Sequence, residues 1–188
     1  MDNIPSRLPL DPLTNLPSIN SFGGLSNFLR QAVADEDSRI FSESMAELAV
    51  RAELVISALR RDRRRDAAAP SLMDMLTVLR DHRNFVVNLS LTWRGLYEYA
   101  GYLQALNNFR VLIGQWLLDV EPWGDQLTVT PEDFALVAWR TLGEGMLLID
   151  MYERWLEQEE GEEDASALDK LDAPQRERVL QWWHKLRR

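Results

Sequence analysis

SLMDMLTVLRDHRNFVVNLSLTWRGLYEYAGYLQALNNFRVLIGQWLL, residues 71–118, decides the fold class. It contains no proline, and a seam runs through Leu72, Leu76, Leu79, Arg83, Val86, Ser90, Trp93, Tyr97, Ala100 and Gln104. Spacings of three and four place these side chains on one helical face, and an apolar face must be covered. The seam is apolar at its start and mixed later. Unbroken, such a helix would be about 70 Å long at ~1.5 Å per residue. A compact chain of this size has a radius of gyration near ~16 Å. Either the molecule is rod-like or the helix breaks, with Gly95 and Gly101 as the weak points. No loop-forming cluster appears before Glu121, so the pattern favours one long, bent helix over two helices joined by a tight turn.

Upstream, residues 36–65 read as a second helix, with Phe41, Met45, Leu48, Ala52, Val55 and Leu59 on its apolar face. The arginine run Arg60, Arg61, Arg63, Arg64 and Arg65 continues beyond that stripe, as if the helix projected past its packing surface. Pro70 and Ser71 mark a restart, with Ser71 and Asp74 spaced as a cap. Downstream, EPWGD at residues 121–125 is a turn. Leu127 and Val129 read as briefly extended. Thr130, Pro131 and Asp133 then start a helix over residues 131–158, because threonine caps, proline suits the first position and acids favour the first turn. Its stripe is Phe134, Val137, Ala138, Thr141, Gly145, Leu148, Tyr152 and Trp155. Gly143 and Gly145 permit close approach of a neighbouring helix, with a bulky tryptophan as the expected partner.

The two ends differ in character. Residues 1–20 carry Pro5, Pro9, Pro12 and Pro17 among apolar residues, the pattern of an extended arm that lies on something. Ser21 caps a short helix over residues 22–34, weakened at its start by Gly23 and Gly24. Residues 157–172 hold eight acids and read as a loose linker. Pro174 opens a last helix with Val179, Leu180, Trp183 and Leu186 on one side. The expected fold is therefore all-α: an elongated helical bundle with long amphipathic helices, an arm over 1–20, a helical domain over 21–158, an acidic linker over 159–172 and a C-terminal helix over 173–188.

The 188 residues include no cysteine, which excludes disulfides, thiolate metal sites and cysteine nucleophiles. Net charge is −9, which argues against nucleic acid as a partner of the whole surface. The arginine run is the one candidate basic patch, and its ordinary reading is a solvated helix end. No leader or transmembrane helix is evident, so the expected location is the cytoplasm. The span 85–120 is interrupted by Arg94, Glu98, Arg110 and Asp119. Peripheral membrane contact stays open.

Chemistry-bearing patterns are sparse. The two histidines, His82 and His184, sit in different helices and in no zinc-protease spacing. Glu-x-x-His motifs, as in diiron bundles, are missing. So are a nucleophile elbow, a phosphate loop and a dinucleotide fingerprint. Glu98 with Arg94 and Glu144 with Arg140 are helix-neighbour pairs, each worth ~0.2–0.5 kcal/mol when exposed. No cofactor or metal is implied. The most distinctive feature is aromatic: Trp93, Tyr97, Tyr99, Tyr102, Phe109, Trp116 and Trp123, with Leu106 among them and Trp183 near the end. Three readings stand, in order of weight: a helix-packing core, a surface for an oligomer or protein partner, and a ligand pocket. Asn84, Asn88, Asn107 and Asn108 fall in the same apolar stretch, and some of them are expected to face an interface or a polar layer that sets helix register.

SLMDMLTVLRDHRN, residues 71–84, with LYEYAGYLQALNNFRVLIGQWLLDVEPWG, residues 96–124, is similar to the last long periplasmic helix of outer-membrane efflux channel proteins. The matching positions are Leu76, Arg80, Arg83, Tyr102, Ala105, Asn108, Phe109, Arg110 and Gly114. The resemblance implies a trimeric export duct of coiled helices, with no catalytic residues. The chain departs from that family in showing no export signal, no alternating barrel strands and no duplicated halves.

The residues as a whole lead to a non-enzymatic helical interaction or assembly protein, with a protein partner or a homo-oligomer. Two alternatives are a ligand-binding or chaperone-like protein that uses an aromatic groove, and a divergent relative or fragment of an efflux component.

Overall fold

In a computed structural model of the chain, the described residues are 22, 25, 26, 29, 30, 35–122, 124–169, 174, 177 and 178, with side chains described up to 161 in the last long helix. They form an all-α bundle: α1 (Glu36–Arg61), α2 (Arg65–Val87), α3 (Leu91–Gly95), α4 (Tyr97–Leu118) and α5 (Pro131–Asp169). Among the described residues there is no strand, only isolated bridges between Arg64 and Gln126 and between Val120 and Leu127. The chain divides into two compact units, Met1–Met151 and Tyr152–Arg188. The expected arm over 1–20 and most of the C-terminal helix over 173–188 lie outside the described residues.

Helix α1 starts at Asp35, whose carboxylate accepts from the Ser38 N–H at 3.1 Å. Glu36 and Asp37 in its first turn and Arg60 and Arg61 in its last complement the helix dipole. The expected stripe of Phe41, Met45, Leu48, Ala52, Val55 and Leu59 is buried throughout. The helix does not project past its packing surface. It stops at Arg61, and Asp62 is extended. Backbone bonds then hold the corner: Leu127 N–H donates to Arg63 at 2.9 Å, and Arg65 N–H donates to Asp125 at 2.8 Å.

Helix α2 begins at Arg65, so Pro70 lies inside it and marks no restart. The pairing with Asp125 sets the start, and three consecutive alanines propagate the helix to the proline. Its buried face is Ala68, Leu72, Met75, Leu79, His82 and Val86, and it packs against α1 and α4.

The long, bent helix expected over 72–118 is instead two helices that pack on each other. α2 ends at Val87, Leu96 is extended, and the short α3 lies between. Asn88 and Ser90 compete locally for backbone hydrogen bonds and favour the turn. Folding back also buries Trp93, stacked on Phe41 at 5.1 Å, and Tyr102, which a single straight helix would leave in water. Gly95 sits at this break, whereas Gly101 is inside α4. Of the positions that resemble the efflux helix, Leu76, Arg80 and Arg83 are on α2 and the remainder on α4.

The turn after α4 is stapled by Glu121 N–H donating to Gln126 at 2.8 Å, and it buries Leu127 and Val129. Thr130 caps α5, with the Asp133 N–H donating to its hydroxyl at 3.1 Å. Phe134, from the first turns of α5, packs on Phe109 and Trp116 of α4. Phe22 covers Trp139 at 4.6 Å, and Leu25 and Leu29 are buried with it on helical residues. Helix α5 runs to Asp169, so residues 159–169, whose acidity predicts a linker, are helical. Glutamate and alanine are good helix formers, and propensity prevails over the acidity of the segment. Residues 170–172 lie outside the described residues. Within the second unit, Tyr152 stacks on Trp155 at 6.1 Å.

Candidate functional site

The aromatic stretch divides between core and surface. Trp93, Tyr102, Leu106 and Phe109 are buried in the chain's own core. Tyr99 is half-buried, and its hydroxyl donates to the Val86 carbonyl at 3.2 Å. Trp116 is half-buried beside Phe134. Tyr97 is 89% exposed. Trp123 and Trp183 lie outside the described residues. Packing thus claims four of the described candidate residues and leaves the solvent side of α4 exposed.

That side lacks charge along its length. Tyr97, Gly101, Gln104, Asn108, Val111, Gln115 and Leu118 are all exposed. Their spacings alternate four and three, so they line one face over roughly 30 Å. None is charged, although charged residues make up 27% of the chain. Among the exposed residues of α4, Arg110 alone carries charge. Leu118 is 78% and Val111 54% exposed, so the face has apolar positions at its end and middle as well as at Tyr97. Single exposed apolar residues are ordinary, whereas a continuous uncharged stripe is informative. Gln104 donates to Asn108 at 2.8 Å along the stripe.

The buried polar group of the core is one that sequence spacing does not single out. His82 of α2 is hydrogen-bonded on both ring nitrogens: Nδ1 to Ser44 Oγ of α1 and Nε2 to the Tyr102 hydroxyl of α4, each at 2.6 Å. Phe41 packs on His82 at 5.4 Å and on Tyr102 at 5.6 Å. Burial pushes the His82 pKa down to about 3 and raises that of the Tyr102 phenol. Both groups are therefore neutral near pH 7. This chain ties three helices together through one buried polar layer. The asparagines form no such layer in the core: Asn84, Asn88 and Asn108 are exposed. Half-buried Asn107 accepts from Arg83 Nε at 2.7 Å.

The basic patch is spread around a corner. Arg60 and Arg61 end α1, Arg65 begins α2, and Arg63 lies between. Arg64 pairs with Asp62 at 2.8 Å, and its guanidinium holds the Asp62 carboxyl below the usual range. Arg65 lines an open groove of about 540 Å³ with Asp66, Ala69, Pro70, Met73 and Asp125. The two expected helix-neighbour ion pairs are not among those of the described residues. Arg94 donates to the Val87 carbonyl, and Glu144 approaches Gly101. Among the described residues no three metal-ligating side chains cluster, and no helix is long and apolar enough to cross a membrane.

No protein-family model, curated protein or solved structure matches the chain.

Proposed function

We propose that this chain is a non-enzymatic helical assembly component that associates with a second copy of itself through the exposed face of α4. The observation that carries this reading is the uncharged, heptad-spaced stripe from Tyr97 to Leu118 on the surface of an otherwise highly charged chain. Solvent gives no reason to keep charge off one face of an exposed helix for six turns, whereas a helix-packing seam does.

Light scattering of the full chain over a concentration series tests the reading. Association that rises with concentration is expected, together with its loss in a Val111→Lys variant that keeps the wild-type far-ultraviolet spectrum. A chain that stays monomeric throughout contradicts the reading.

A further inference from the structure

We propose that the Ser44–His82–Tyr102 chain is an acid-sensitive latch, in which a second proton on the imidazole unseats α4 from α1 and α2. The latch is built on hydrogen-bond geometry and is independent of self-association.

A neutral imidazole has one N–H and one lone pair. Tyr102 is fully buried, and its hydroxyl has His82 Nε2 as its one hydrogen-bond partner among the described residues. Were Nε2 the protonated nitrogen, the phenol would accept and its own proton would be left without an acceptor in a dry site. The phenol must therefore donate to Nε2, and Nδ1–H must donate to Ser44 Oγ. Ser44 is half-exposed, so its own proton can reach water.

The lone pair that a second proton would take is thus the one bonded to Tyr102. Protonation turns that acceptor into a donor, so the phenol must turn its own proton away and leave it without an acceptor in a buried site. It also places a cation in a site formed by Phe41 and Ser44 of α1, Phe85 of α2 and Tyr102 of α4. Of these groups only Tyr102 titrates, and it is held neutral. The charged groups nearest along the chain are otherwise engaged or exposed. Glu43 is exposed, Glu47 binds Arg51, Asp81 binds Arg80, Arg83 binds Asn107, and Glu144 of α5 lies by Gly101. None is hydrogen-bonded or ion-paired to the ring. Protonation of His82 therefore opposes the seating of α4, and release of Tyr102 opens the Phe41–Trp93 stack beside it.

The test titrates the full chain from pH 7 to pH 2, with two readouts. Near-ultraviolet circular dichroism reports tryptophan packing, and nitrogen NMR reports the His82 ring, with the His184 signal identified by His184→Gln. The expected ring is the Nδ1–H tautomer, unprotonated until the near-ultraviolet signal collapses and gaining its proton together with that collapse. In His82→Gln the collapse is expected at least one pH unit lower. Collapse at the same pH in both proteins overturns the proposal. So does protonation of the wild-type ring with the packing signal intact, or a wild-type core still intact at pH 2. If His82→Gln does not fold at pH 7, the wild-type ring titration decides by itself.

Discussion

Gly145 of α5 lies so close to Tyr102 of α4 that a Cβ at this position would come within 2.9 Å of the ring carbon Cε2. The same Cβ would meet the Met45 Cε at 2.8 Å. The methionine can swing aside, but the tyrosine ring is held by its bond to His82. Close approach at this helix crossing is thus set by tyrosine and methionine, and not by the tryptophan that the glycine spacing leads one to expect.

Gly145→Ala should therefore destabilise the protein by ~1–3 kcal/mol through overpacking. Gly114→Ala, where a Cβ meets nothing within 4 Å, should stabilise it by ~0.5–1 kcal/mol through helix propensity. Urea denaturation of both variants checks the opposite signs.

Tyr102→Phe removes the donor to His82 Nε2 and leaves a buried acceptor unsatisfied. The expected cost is ~1–3 kcal/mol. Ser44→Ala should cost less, ~0.5–1.5 kcal/mol, because the serine end of the chain is half-exposed and water can replace it. Chemical denaturation at pH 7 should rank the two in that order.

Stability should fall with acid through His82. Its folded pKa of about 3 lies below the ordinary value of 6.5, so the unfolded state binds more protons between those limits. The contribution is fully present above pH 6.5 and is lost as pH falls towards 3. At pH 5 the loss amounts to roughly 2 kcal/mol. Urea midpoints of the wild type at pH 7 and pH 5, compared with those of His82→Gln, should show a pH-dependent difference of that size.

Thr130→Ala should cost ~0.5–2 kcal/mol, since it removes the cap on the Asp133 N–H at the start of α5. Thermal unfolding followed by circular dichroism measures it, and Thr130→Ser should retain most of the stability.

Local signals were legible where one residue type has one physical use. The Thr130–Pro131–Asp133 start and the Phe41-to-Leu59 stripe of α1 appear as their spacing predicts. The turn at Asn88–Ser90 was not legible, because its residues are permissive of helix and the energy that bends the chain is tertiary: burial of Trp93 and Tyr102 against Phe41. The start of α2 at Arg65 depends on a backbone partner sixty residues away, Asp125, which leaves no trace in local pattern. The Ser44–His82–Tyr102 chain joins three helices, and a lone histidine in an apolar stripe gives no hint of its partners. The α4 face was hidden for a different reason. Attention to aromatic residues selects side chains that packing buries, whereas the distinguishing property of the face is missing charge.

The absence of native cysteine makes single-cysteine variants clean reporters of the α4 face. Val111→Cys places a thiol on the stripe, and Leu54→Cys places one at a comparably exposed position on α1. Alkylation rates of both, measured across a range of protein concentration, test the association most directly. The account predicts that alkylation at position 111 slows as concentration rises while that at position 54 stays constant. Rates at both positions that do not change with concentration would contradict it.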